Sequence, residues 1–275
     1  MERVFSIKRF LRLLRWDMVA NRHTAVVVSF LVMGLLAMVY LPWLVGVTAN
    51  RDVLHFDEGG AERIATMGLT AIFAIAVAGP GMAGLPFGNR RKALACMALP
   101  ATQLEKFLSR YLLSTVGLVV VAVCAIAVAD LVQMAVALLV TGGVKGSFWS
   151  VTADFAGRLF ADGAIRRAFT SSDDAAYTVC VLLLLLATHA FFLLGGMFFR
   201  RWPVVLTVLA FMLLAYLDGA LGINLFKCMT QAISYSSLMA AVVLLLSLAA
   251  IAALYRLSYR LFCRMQITNH KWFNL

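Results

Sequence analysis

Six long apolar runs limit what this chain can fold into. They lie at about residues 25–47, 64–85, 111–141, 177–199, 202–223 and 237–262. A helix needs roughly 20 mostly apolar residues to cross the hydrocarbon core of a bilayer, and it satisfies its own backbone while doing so. The expected fold is therefore all-α, a polytopic membrane protein of six transmembrane helices. Composition agrees: 63% of residues are hydrophobic, against roughly 45–50% in soluble chains. The charged residues, only 13%, fall almost entirely between the runs. Residues 1–24 are read as an N-terminal cytoplasmic or interfacial segment. Residues 25–275 are read as one transmembrane domain, with no room for a separate soluble one.

The charges also assign sides. Seventeen of the 24 Lys and Arg residues collect on one face, at the N-terminus, near 90–110, at Arg200 and Arg201, and beyond Arg256. By the positive-inside rule both termini are expected in the cytoplasm. The net charge of +11 then has its partner in anionic lipid headgroups rather than nucleic acid.

Ahead of the first run, Lys8, Arg12, Arg15 and Arg22 recur at helical spacing, as do Ile7, Phe10, Leu11, Leu14 and Met18. Residues 5–22 thus read as an amphipathic helix lying in the headgroup plane, or as a positive flank that orients the first span. The apolar run that follows is too long for a cleaved signal peptide.

The segment 88–110 between the second and third runs is basic and built like a helix start. Thr102, with Glu105 three residues on, forms a capping-box pattern, and Pro100 keeps Leu99 extended. From Gln103 the chain can run without interruption into the third span. Leu99-Pro100-x-Thr102-x-x-Glu105-x-x-x-Ser109-Arg110-Tyr111-Leu112 resembles the Leu-Pro-x-Ser-x-x-Glu-x-x-x-Gly-Lys-x-Leu signature of ABC-2 type permeases. About a dozen positions are covered, in the cytoplasmic loop where that family carries the signature. Upstream, the family often has an acidic-Gly-Thr-x-Glu run where this chain has Arg90-Arg91-Lys92-Ala93-Leu94.

The resemblance implies a permease subunit in a bacterial cytoplasmic (inner) membrane. It would pair with a second permease subunit, identical or not, and export its substrate on ATP hydrolysed by a separate ABC ATPase chain. Arg90, Arg91, Leu99, Pro100, Thr102, Glu105, Lys106 and Arg110 would form the contact with that ATPase. Without it, the bland reading of the charged group Glu105, Lys106 and Arg110 is helix capping and headgroup contact.

Polar groups inside the runs need an account, since an ionised group at mid-membrane costs about 2.5–3.5 kcal/mol on the insertion scale. Asp130 and Gln133 on the third run, His189 on the fourth and Asp218 near the outer end of the fifth are the candidates. One reading is a polar path or proton relay through Asp130 and His189, which makes the chain a secondary transporter or channel. The other gives each an interhelical hydrogen bond, with Asp130 protonated or paired with His189. A third class, a non-transporting membrane scaffold, leaves both silent.

The second run ends in Gly79-Pro80-Gly81-Met82-Ala83-Gly84-Leu85-Pro86-Phe87-Gly88, which cannot be a regular helix and reads as a hinge or a frayed end. The outer loop 142–176 is too long for a plain connection. Phe148, Val151, Phe155 and Leu159 predict an interfacial helix there, and the family resemblance does not lead one to expect so large a loop. In the short loop 224–236, Leu225, Phe226, Met229 and Ile233 predict only a turn or two of helix.

Enzyme signatures are missing from the sequence. Thr141-Gly142-Gly143-Val144-Lys145-Gly146-Ser147 does not fit phosphate-loop spacing and would face outward. Cys96, Cys124, Cys180, Cys228 and Cys263 form no Cys-x-x-Cys pair and read as buried small hydrophobes. No catalytic residue, cofactor or metal is expected.

Overall fold

The structure, a computed structural model, describes residues 5–49, 58–88, 94–96, 98–141, 149, 152–153, 172–199, 202–222 and 224–264. Among these residues the regular structure is helical, with no strand. The helices are α1 (Ile7–Ala20), α2 (Arg22–Ala49), α3 (Glu58–Ala78), α4 (Gln103–Leu112), α5 (Leu118–Thr141), α6 (Ser172–Phe198), α7 (Pro203–Ala220), α8 (Leu225–Tyr235) and α9 (Ser237–Arg264). A 3-10 segment, Gly79–Gly88, continues α3, and a π turn, Leu113–Gly117, joins α4 to α5.

Among the described residues, five helical segments are long and apolar enough to cross a membrane: Gly68–Leu85, Gln103–Val136, Ala175–Phe198, Pro203–Ala220 and Ser237–Arg264. These lengths are compatible with an integral membrane protein. The remaining expected span coincides with α2, whose described apolar stretch, Arg22–Gly34, is shorter than a crossing. Phe148, Val151, Phe155 and Leu159, on which the expected interfacial helix of the outer loop rests, and the basic stretch 89–93 lie outside the described residues.

The chain divides into two compact units. In one, formed by residues 20–75 and 116–165, α2 packs on α5. Its core is Val32 against Ala122, Ala125, Ile126 and Ala129. That spacing puts four small or branched side chains on one face of α5, so a neighbouring helix can approach closely.

The other unit holds residues 1–19, 76–115 and 166–275. Here the 3-10 segment and α9 both pack on α6. Ala83, Leu193, Met197, Leu261 and Phe262 form the core, with Phe107 and Tyr111 of α4 packed against it. The glycines make this packing feasible. A β-carbon on Gly84 would collide with the backbone of Gly196, and one on Gly196 would lie 2.6 Å from the carbonyl oxygen of Gly81. Residues 79–81, 83 and 84 are buried, so the end of the second run is a packed segment rather than a frayed one.

The loop 224–236 departs from expectation. α8 has 11 residues, about three turns, and packs on α6 and α9. Two contacts account for its length. The Asp218 carboxylate accepts a 3.1 Å hydrogen bond from the Leu225 amide, and Phe226 meets Tyr177 edge-on at 5.3 Å. The cysteines also differ in part from expectation: Cys96 and Cys180 are buried, whereas Cys124, Cys228 and Cys263 are exposed.

Candidate functional site

The elbow begins at Thr102, whose extended backbone (φ −69°, ψ 156°) is that of a helix N-cap. Its hydroxyl accepts from the Glu105 amide at 3.2 Å, and Glu105 Oε2 accepts from the Thr102 amide at 2.9 Å. Both halves of the capping box are thus formed, each satisfying a backbone N–H that the helix leaves open. Upstream, Leu99 is half-buried and Pro100 exposed. Arg90 and Arg91 lie outside the described residues.

Glu105 does more than cap its own helix. Its Oε1 accepts from the Ser6 amide at 2.8 Å and from Arg9 Nη2 at 3.0 Å. Ser6 is the residue ahead of α1, and its carbonyl accepts the first bond of that helix from Phe10 N. One carboxylate therefore serves the N-cap amides of two helices and carries a charge-assisted bond to Arg9. Glu105 is 0% exposed, so its charge depends on these partners.

A second carboxylate makes the other attachment. Asp17, 1% exposed, accepts from the Ser109 hydroxyl at 2.6 Å on Oδ2 and faces Arg110 Nη2 at 3.9 Å from Oδ1. Burial pushes the Asp17 carboxyl above the usual aspartate range, against the opposing pull of Arg110 and Ser109. Arg9, Leu13 and Asp17 recur every four residues and so share one face of α1. Glu105 and Ser109 do the same on α4.

Glu105 is joined to Arg9, and Arg110 to Asp17. Residues five apart on a helix point to different sides, which is why Glu105 and Arg110 reach different partners. Lys106 and Arg110 are only 3% and 4% exposed, so neither cation is spread over the headgroup surface. Arg9 and Asp17 are the site residues that the sequence reading missed. The one signal available was a lone acid inside a basic amphipathic helix.

The polar candidates within the apolar runs have partners of their own. Asp130 is buried on α5, and the side chain of Gln133 lies outside the described residues. His189 Nδ1 shares a 2.7 Å hydrogen bond with the Tyr255 hydroxyl of α9, and Tyr111 stands edge-on to the imidazole at 5.7 Å. Asp218 holds the start of α8. The hydroxyls of Ser114 and Thr115, in the π turn, both donate to the Tyr111 carbonyl, at 3.2 and 2.7 Å. Such back-bonding competes with regular helix bonds and often accompanies a bend. No group of three or more potential metal ligands occurs among the described residues.

The chain matches no family model, and no curated protein or solved structure is similar to it. What the site can do therefore has to come from its own geometry: a capped, amphipathic helix, clamped by two carboxylates to an N-terminal helix and followed by a π turn and an apolar helix.

Proposed function

We propose that this chain is the membrane-spanning permease subunit of an ABC-2-like exporter, driven by ATP hydrolysis in a separate ATPase chain. The observation that carries this reading is the formed capping box at Thr102 and Glu105, within the stretch that resembles the permease signature. A soluble motor can act on an apolar span only through a stiff element at its end. α4 supplies one, because its first turn is fixed by side chains rather than left to fray.

In this reading α2 completes a set of six spans, both termini are cytoplasmic, and two permease subunits, identical or different, work together in a bacterial cytoplasmic membrane. Closure of the ATPases would move the elbow, and the clamp would carry α1 with it. Hydrolysis belongs to the partner, so this chain contributes no catalytic residue. The bond to Tyr255 supplies His189 with the interhelical partner that a structural role calls for.

The test is co-purification and coupling. The permease chain, used as bait from its own cell membranes, is expected to bring down an ATP-binding-cassette protein. Glu105→Gln combined with Arg110→Gln should insert normally while ATPase activity no longer responds to the permease. Failure to recover any nucleotide-binding protein defeats the proposal. So does labelling of introduced thiols at positions 99–112 from outside whole cells.

A further inference from the structure

The face of α1 turned away from α4 has a pattern that the clamp does not use. Successive residues of a helix are about 100° apart. Ile7, Leu11 and Met18 fall in one strip, and Lys8, Arg12 and Arg15 fall in the adjoining one, all exposed. Ile7 is 67% and Leu11 56% exposed, so the rest of the chain does not cover this strip. The single acid of the helix, Asp17, is buried on the opposite side. The free flank is thus an apolar seam beside a row of three cations, Lys8, Arg12 and Arg15, that ends at the exposed Val19.

We propose that this flank is a docking surface for anionic lipid, with the apolar seam seated among acyl chains and Lys8, Arg12 and Arg15 against lipid phosphates. Charge complementarity selects this occupant. Three cations stand side by side with no acid among them, a pattern that gains from an anionic bilayer surface and is repelled by a basic protein face. Chain continuity selects it too: one residue, Asn21, separates α1 from α2, the helix that opens with the first apolar run. The proposal does not depend on an ATPase partner.

The experiment is amide hydrogen exchange on the full chain in lipid nanodiscs, without any ATPase. One set of discs is phosphatidylcholine alone, and the other contains phosphatidylglycerol. Amides of residues 7–20 are expected to exchange at least about tenfold more slowly in the anionic discs, since each cation near such a surface contributes roughly fivefold in binding. High salt should remove the difference in the unmodified chain, and K8Q/R12Q/R15Q should remove it at low salt. Exchange in residues 237–264, unchanged throughout, reports that the fold is intact. Equal exchange in the two lipids overturns the proposal, as does a difference that survives high salt. Protection that comes only with a cytoplasmic protein, whatever the lipid charge, makes the flank a protein dock and also overturns it.

Discussion

The Ser109 hydroxyl donates a 2.6 Å hydrogen bond to Asp17, a residue 92 positions earlier in the chain. Both side chains are buried, so water does not substitute for either partner. Removing one leaves the other as an unsatisfied buried group, the costlier half of any hydrogen bond. A double-mutant cycle of Asp17→Ala and Ser109→Ala is expected to give a coupling of about 1–3 kcal/mol. Additive losses in thermal unfolding would show that the contact contributes nothing of its own.

Asp17 also sets a pH dependence. Its folded-state carboxyl lies above its ordinary value, so the folded chain takes up the proton before the unfolded chain does. Stability from this group therefore rises as pH falls through the window just above the ordinary aspartate range, and it is lost again as pH rises. Asp17→Asn should abolish that part of the pH profile. Melting temperatures of the two proteins in detergent, compared across the acidic range, check the sign.

Glu105 should be the least replaceable residue of the elbow. Its carboxylate accepts three hydrogen bonds, from Ser6, Arg9 and Thr102. Thr102→Ala loses one cap, about 1 kcal/mol. Glu105→Ala should lose about 2–3 kcal/mol, because bonds to a charged acceptor are the stronger class. Proteolysis or exchange at residues 5–17 should rise in the Glu105 variant and much less in the Thr102 variant.

The glycines allow a sharper contrast. Gly84→Ala and Gly196→Ala place a methyl group into facing backbone, so loss of folded protein on size exclusion is expected. Gly34 and Gly219 have open space where a β-carbon would go. There alanine should be neutral or stabilising by up to about 1 kcal/mol, the usual gain inside a helix.

What the sequence made legible follows from distance along the chain. The capping box spans three residues, and the α1 pattern repeats every turn, so both could be read directly. The Glu105–Ser6 and Asp17–Ser109 contacts span 99 and 92 residues, and no local pattern encodes them. The same holds for Gly84 on Gly196: the glycines marked an irregular segment, but only the fold shows what they approach. The π turn escaped because Ser114, Thr115 and Gly117 are individually ordinary in an apolar helix. α8 was underestimated because its first amide is held by Asp218, a residue read as a candidate of the preceding span.

One carboxylate shared by two helix starts has a consequence for the order of biogenesis. Ser6 leaves the ribosome 99 residues before Glu105, an interval of about 5–20 s at ordinary elongation rates. Throughout that time the leading segment is without its anchor while the hydrophobic stretches behind it are already being inserted. Final seating of the amino-terminal end is therefore a late event, which waits for residues 105–109, made after the second apolar stretch, rather than for the first stretch.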